Sequence, residues 1–273
     1  MRGLSSESAG PPDGASELSA IVITRNEEAN IGECLASLAF AGEIIVVDNA
    51  SSDATPELAR RAGARVHHAP DWPGFGPQKN RALALASRPW VLSIDADERV
   101  TPALRDEILA VVRSASPGAD AWDMPRRSSY CGQYMAHSGW YPDRVTRLFR
   151  RGAARFSDDL VHERLLTTGP TGHLGHDLLH QSFPDLESVL QKLDRYSSAG
   201  ARRMWEQGRR ASFGSAVAHG AWAFLRTYLL QRGFLDGRLG FALAVSNAEG
   251  TYYRYLKLWL LGRQARETAA ARP

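Results

Sequence analysis

Three apolar, β-branched runs in the first hundred residues, and a weaker fourth, each lead into polar residues, and helix-like stretches separate them. The runs are 18–24, 44–47, 64–67 and 90–94, and the helical spacing falls over 27–38, 53–62 and 78–87. Runs that are apolar throughout suit strands covered on both faces. Their alternation with helices predicts βαβ units and a largely parallel sheet. Such sheets bind ligands beyond the carboxyl ends of their strands. Thr24-Arg25-Asn26, Asp48-Asn49 and Asp95-Ala96-Asp97 all fall there, so three polar clusters are expected to share one crevice. Residues 70–77, with three prolines and two glycines, read as a loop.

Beyond a helix at 102–113 the texture changes. Residues 120–167 carry short aromatic, alternating segments that suggest antiparallel strands, and helices dominate from Leu186. The expected fold is α/β: a mostly parallel central sheet with a small antiparallel part, and a C-terminal helical extension. Residues 1–17 contain no apolar run and read as a disordered leader, with a catalytic domain over 18–183 and the extension over 184–273. With 44% hydrophobic and 23% charged residues in 273, the chain is neither a disordered tail nor a fibre. Cys34 and Cys131 cannot build a disulfide framework, and a reducing compartment is expected.

Two carboxylates two residues apart on a tight strand exit, Asp95 and Asp97, suit a shared divalent cation and the oxygens of a diphosphate. A nucleoside diphosphate leaves poorly until a cation neutralises its developing charge. The competing structural use is a helix cap at Asp97 or a pair with Arg99. Asp48, at the end of the second run, can accept from a base N–H or a ribose hydroxyl, or simply close a turn, with Asp53 capping the next helix.

Together, residues 18–28, the segment Val46-Val47-Asp48-Asn49-x-Ser51-x-Asp53, Gln78-Lys79-Asn80-Arg81-Ala82 and Asp95-Ala96-Asp97-Glu98 resemble the nucleotide-sugar half of family 2 glycosyltransferases over residues 18–180. A narrower resemblance is to lipopolysaccharide core glucosyltransferases of the WaaE type. It is carried by Trp72-Pro-Gly-Phe75-Gly-Pro-Gln78-Lys79-Asn80, Trp140-Tyr141-Pro142-Asp143-Arg144, Arg147-Leu148-Phe149-Arg150, Val161-His162-Glu163 and Gly233-Phe234-Leu235-Asp236-Gly237. The resemblance implies a GT-A fold, an inverting mechanism, a nucleotide-sugar donor such as UDP-glucose, and Mn²⁺ or Mg²⁺. It implies that Thr24, Asn26 and Glu27 line the base pocket beside Asp48, that Asp95 contacts the ribose and that Asp97 holds the metal. Lys79 and Arg81 are the cations for the diphosphate; their spacing lets only one of them face the crevice.

Inverting transfer needs a base for the acceptor hydroxyl, and the resemblance implies Glu163, with Asp158 and Asp159 in reserve; a surface ion pair with Arg164 or Arg155 is the alternative. Trp72, Phe75, Trp140 and Tyr141 are candidates to stack on sugar faces, or ordinary packing residues. His173, His176 and His180 share a helical spacing, but Gly172 and Gly175 argue against a helix, so hydrogen-bonding roles are expected. His180 alone is carried as an additional metal ligand. Residues 1–187 hold 19 Lys+Arg against 25 Asp+Glu, whereas 188–273 hold 14 against 5. That basic third also carries two apolar stripes, Ala221/Phe224/Leu225/Tyr228/Leu229 and Tyr252/Tyr255/Leu256/Trp259/Leu260. Cations beside aromatic stripes suit an anionic membrane surface rather than nucleic acid. The expectation is a peripheral enzyme at the cytoplasmic face, acting on a lipid-linked or lipopolysaccharide-core acceptor; packing on the catalytic domain or a homodimer contact are other uses of the stripes. A sugar-phosphate nucleotidyltransferase and a non-catalytic membrane adaptor are the rival functions. The former wants a glycine-rich basic loop where Thr24-Arg25-Asn26-Glu27-Glu28 stands.

Overall fold

The computed structural model describes residues 17–158 and 163–270. The chain forms two compact units, one from residues up to 126 with 143–180, the other from 127–142 with 181 onward. The expected leader lies outside the described residues, apart from Glu17.

In the first unit, β1 (Leu18–Thr24), β2 (Glu43–Asp48), β3 (Arg65–His68) and β4 (Trp90–Asp95) form a parallel sheet in the order β3-β2-β1-β4. Between them run α1 (Ile31–Ser37), α2 (Thr55–Arg61) and α3 (Phe75–Leu85). Leu18, Ala20 and Val22 pack with α1, α2 and α4 (Pro102–Arg113); Ile21 and Ile23 pack with α3. Both faces of the sheet are therefore covered, which is why its strands read as unbroken apolar runs. After β4 comes a short β5 (Glu98–Val100), which periodicity did not reveal. The antiparallel part follows: β6 (Ala121–Tyr130), the two-residue β7 (Gln133–Tyr134) and β8 (Asp143–Arg150), with β8 pairing both β4 and β6. β9 (Ala154–Phe156) and β10 (Leu165–Thr167) make a two-stranded ribbon. β11 (Thr171–His173) adds to β6, and β12 (Leu178–Phe183) pairs β5.

Two local expectations need correction. The stretch from Glu27 does not enter a helix until Ile31, because Asn26 is left-handed (φ 54°) and residues 27–30 turn first. The 70–77 segment is a loop only as far as Gly74; α3 begins at Phe75 and accommodates Pro77 in its first turn, where a missing N–H costs no helical bond. The remaining boundaries fall close to the sequence reading, and α4 spans 102–113 as expected.

The second unit is built on α5 (Leu186–Glu206), α6 (Phe213–Leu225) and the 34-residue α7 (Gly237–Ala270). A π-helical turn, Arg226–Leu230, continues α6, and a short 3-10 turn, Gly233–Asp236, precedes α7. The buried Asp236 carboxylate ties the 133–138 segment down, accepting from the Ala136 N–H at 3.0 Å and the Ser138 hydroxyl at 2.8 Å. No described helix is long and apolar enough to cross a membrane.

Candidate active site

Parallel pairing fixes the first side of the site. Thr24 stands opposite Asp48, and Ile23 opposite Asp95, so the last residues of β2, β1 and β4 form a row. The loops beyond β1 and β2 are laced together. The Asn26 side-chain carbonyl accepts from the Ser52 N–H at 2.8 Å, the Glu27 N–H donates to Thr55 Oγ1 at 2.8 Å, and the Glu28 carboxylate accepts from the Ala54 N–H at 3.1 Å. Asp48 is buried, and its carboxylate accepts from both the hydroxyl and the N–H of Ser51. Asp53, expected to cap α2, stands one residue ahead of the Ala54 N-cap and accepts from the Thr55 N–H at 3.0 Å. Beside Asp48, Thr24 Oγ1 and Asn49 Oδ1 are buried with no hydrogen-bond partner among the described residues. Buried polar atoms are normally paired, so this corner has hydrogen-bonding capacity to spare for a ligand.

Asp95 is in phase with Val91 and Ser93 on β4, on the face that α3 covers. Lys79 on α3, almost fully buried, meets it there with its Nζ 2.9 Å from Asp95 Oδ1 and 2.8 Å from Glu163 Oε1. Arg147 on β8 pairs with both Asp95 and the fully buried Glu98. Burial by itself would raise the Asp95 carboxyl, but the Arg147 and Lys79 charges outweigh it and hold the group far below the usual carboxylate range. Burial likewise opposes the Arg147 charge, and Asp95 and Glu98 reverse that, driving its guanidinium above its ordinary value. Asp95, expected at the ribose, is thus the anionic centre of a cation pair.

These groups line a cavity of about 420 Å³ that contains Lys79, Asp95, Arg126, Arg147, Glu163 and Arg164. Glu163 reaches it because the start of α3 lies against the residue-157 backbone: a Cβ on Gly76 would stand 1.8 Å from the Ser157 carbonyl oxygen and 3.5 Å from Glu163 Cβ. Ser157 in turn exchanges hydrogen bonds with Arg164, its N–H donating to the Arg164 carbonyl at 2.9 Å. Asp158 is exposed and lies 3.9 Å from Arg155, and Asp159 and His162 lie outside the described residues.

Asp97 sits in the turn between β4 and β5. The pairing of β12 with β5 sets His180 opposite Glu98, and its Nε2 comes within 3.2 Å of Asp97 Oδ2. The other two histidines engage their own acids, His173 with Asp123 at 2.9 Å and His176 with Glu107 at 3.1 Å, from strand and loop positions rather than a helix. Among the described residues no group of three or more His, Cys, Asp or Glu is arranged around a metal position. The Asp97 carboxylate suits Mn²⁺ or Mg²⁺, whose remaining positions are commonly filled by phosphate oxygens and water, and His180 lies near enough to share the ion.

Of the two expected diphosphate cations, Lys79 enters the cavity, while Arg81 turns away to Asp71 on the exposed flank of α3. Trp72 and Phe75 pack edge to face at 4.9 Å and both remain exposed. Trp140 and Tyr141 belong to the second unit, where Trp140 packs with Tyr130 and Phe183. Arg147, Glu98 and Arg126 were missed as site residues. The signal for them was a charged pair, Arg144 and Arg147, within a strand otherwise fit for burial, together with Glu98 directly after the acidic turn.

A family model described as glycosyl transferase family 2 matches residues 19–160. The chain is 34% identical over 254 residues to the lipopolysaccharide core biosynthesis glycosyltransferase LpsC of Rhizobium meliloti, covering 89% of this chain and 92% of that one. It is 30% identical to an uncharacterized glycosyltransferase of Rickettsia prowazekii, covering 89% of this chain and 86% of the relative. Among solved structures, glucosyl-3-phosphoglycerate synthase from Mycobacterium tuberculosis, in complex with Mn²⁺, uridine diphosphate and glucosyl-3-phosphoglycerate, matches with 27% identity and a TM-score of 0.36. That match covers 40% of this chain and 44% of the synthase.

Proposed function

The chain belongs to glycosyl transferase family 2, and from that premise we propose that it moves a hexose, glucose from UDP-glucose, onto a lipopolysaccharide-core or other lipid-linked sugar with inversion. The observation that carries this reading is the Lys79 bridge: one ammonium joins the strand-end Asp95 to Glu163 inside a single cavity. A donor-side acid and a candidate base are thereby held together, as attack of an acceptor hydroxyl on an anomeric carbon requires.

In this mechanism Asp48, Thr24 and Asn49 receive the base and ribose at the ends of β1 and β2. Asp97 and His180 hold a divalent cation, Mn²⁺ or Mg²⁺, which when bound offsets the charge that builds on the leaving diphosphate. The Arg147 and Lys79 side chains line the same cavity and attract the phosphates. Glu163 accepts the proton of the incoming hydroxyl, and its salt link to Lys79 fixes the carboxylate in place for that task. The exposed rings of Trp72 and Phe75 offer faces for sugar stacking. Attachment to an anionic membrane surface is supported by the excess of cations over acids in residues 188–273, 14 against 5, and by exposed Trp222, Leu229 and Leu230. A homodimer through the same apolar stripes is the competing use.

The test is release of nucleoside diphosphate from a panel of nucleotide sugars, with and without Mn²⁺ or Mg²⁺, in the presence of lipopolysaccharide-core acceptors. UDP-glucose with metal is expected to turn over. Glu163→Gln is expected to retain donor binding and lose about 10²–10⁴-fold in transfer. Normal turnover by that variant would remove Glu163 as the base, and activity with no donor in the panel would remove the reading itself.

A further inference from the structure

The helical second unit contains a cavity of its own, about 380 Å³, walled by α5, α6, α7 and the loop at Ser138, Gly139 and Trp140. Three cations line it, Lys192, Arg226 and Arg254, and no carboxylate does. Two other cations of this unit have acid partners, Lys257 with Asp194 at 2.7 Å and Arg263 with Glu267 at 3.1 Å. The side chains of Arg226 and Arg254 have neither an ion-pair nor a hydrogen-bond partner among the described residues. Lys192 donates to the Ser182 carbonyl at 3.0 Å and stands over the Phe183 ring at 4.4 Å.

The backbone makes room for this arrangement. On α5, Gly200 faces Arg254 so closely that a Cβ would fall 3.0 Å from Nε, so the glycine lets the Arg254 stem lie there without shifting. The wide π-helical turn brings Arg226 and Thr227 to the cavity together, and Asn247 of α7 donates to Thr227 Oγ1 at 3.3 Å. Turns of this type gather at functional positions. The same turn leaves Leu229 and Leu230 exposed, at 52% and 67%. A recess with N–H donors and no carboxylate among its described lining residues therefore adjoins bare apolar side chains on one stretch of chain. Guanidinium forks match phosphate oxygens two at a time.

We propose that this cavity binds the phosphate group of an amphiphile, Arg226 and Arg254 taking its oxygens while Leu229 and Leu230 meet the apolar part. The site stands independently of the transfer reaction in the first unit. The shared chemistry is a phosphate ester, supplied either by a lipid head group or by a free sugar phosphate.

Two probes separate the sources on the full-length chain: flotation with phosphatidylcholine vesicles containing phosphatidic acid, against phosphatidylcholine alone, and titration calorimetry with glucose 6-phosphate. The wild type is expected to float only with phosphatidic acid. Removing each guanidinium is expected to weaken binding roughly tenfold, so R226Q/R254Q loses about a hundredfold, and R226K/R254K lies between. L229S/L230S is expected to lose vesicle binding alone. If L229S/L230S instead leaves vesicle binding intact and glucose 6-phosphate binds as tightly as the vesicles, the ligand is a free phosphate ester and the lipid part of the proposal falls. Wild-type binding of both probes by R226Q/R254Q, or failure of the wild type to bind either, overturns the site. UDP binding and the far-ultraviolet circular dichroism of each variant report whether it is folded.

Discussion

The ion cluster around Asp95 illustrates how individual residues divide their work between stability and chemistry. Glu98 is fully buried and faces Arg147 across a short contact. Deleting one member of a buried pair leaves the other charge uncompensated, at about 3–5 kcal/mol. Glu98→Ala is therefore expected to cost that free energy, read as a lower urea midpoint with an unchanged slope. Asp95 gives a sign as well as a size. Its carboxyl sits below the ordinary value because Arg147 and Lys79 overcome the burial that would raise it. A depressed group stabilises the fold above its unfolded pKa, about 3.9, and that stability is lost as pH falls below it toward the lowered folded value. The stability advantage of wild type over Asp95→Asn, measured by urea unfolding at successive pH values, should hold constant near neutrality and shrink below about pH 4. A constant difference down to pH 3 would contradict the assignment.

At the scale of elements, α3 decides whether Glu163 reaches the cavity. Its first turn lies so near Ser157 that Gly76 cannot carry a side chain without displacing backbone. Gly76→Ala is expected to cost about 1–3 kcal/mol in thermal or urea stability, the usual penalty of overpacking. Because Ser157 is bonded to Arg164, the strain is transmitted to the neighbour of Glu163, and transfer should fall more than donor binding does. The helix α4 offers a control. Its cap, Thr101, accepts from the Leu104 N–H at 3.2 Å and donates to the Asp177 carbonyl at 2.9 Å, so Thr101→Ala should cost about 1 kcal/mol and leave donor affinity unchanged.

For the whole molecule, the two units carry separate cores. Phe149, Ile21 and Ala82 belong to one core of the first, and Tyr130, Met135 and Leu243 to one of the second. A ligand that binds only the native first unit raises its stability by mass action, about 2.7 kcal/mol at a hundredfold excess over Kd. UDP is expected to raise the melting temperature of the first unit, and Mn²⁺ to add to that increase. Asp97→Ala should keep the UDP increment and lose the metal-dependent one. If Mn²⁺ raised the transition equally in Asp97→Ala and wild type, the metal would lie elsewhere.

Strand and helix order, the parallel sheet and the row of acids at its edge were legible from residue pattern alone, because a strand buried on both faces must be apolar until it leaves the core. The pairing of Asp97 with His180 was only suggested, since they stand 83 positions apart and no local rule measures that gap. Which of Lys79 and Arg81 faces inward depended on how α3 is rolled against β4, and that is set by packing around Gly76 and Ala82. The sequence held charged residues at 98 and 147, but their meeting with Asp95 was not legible in it, because β8 meets β4 only through long-range antiparallel pairing. Local chemistry in the chain determined what each element is and where its polar end falls. Tertiary structure decided which charges meet, because electrostatic partnership depends on distance in space rather than along the sequence.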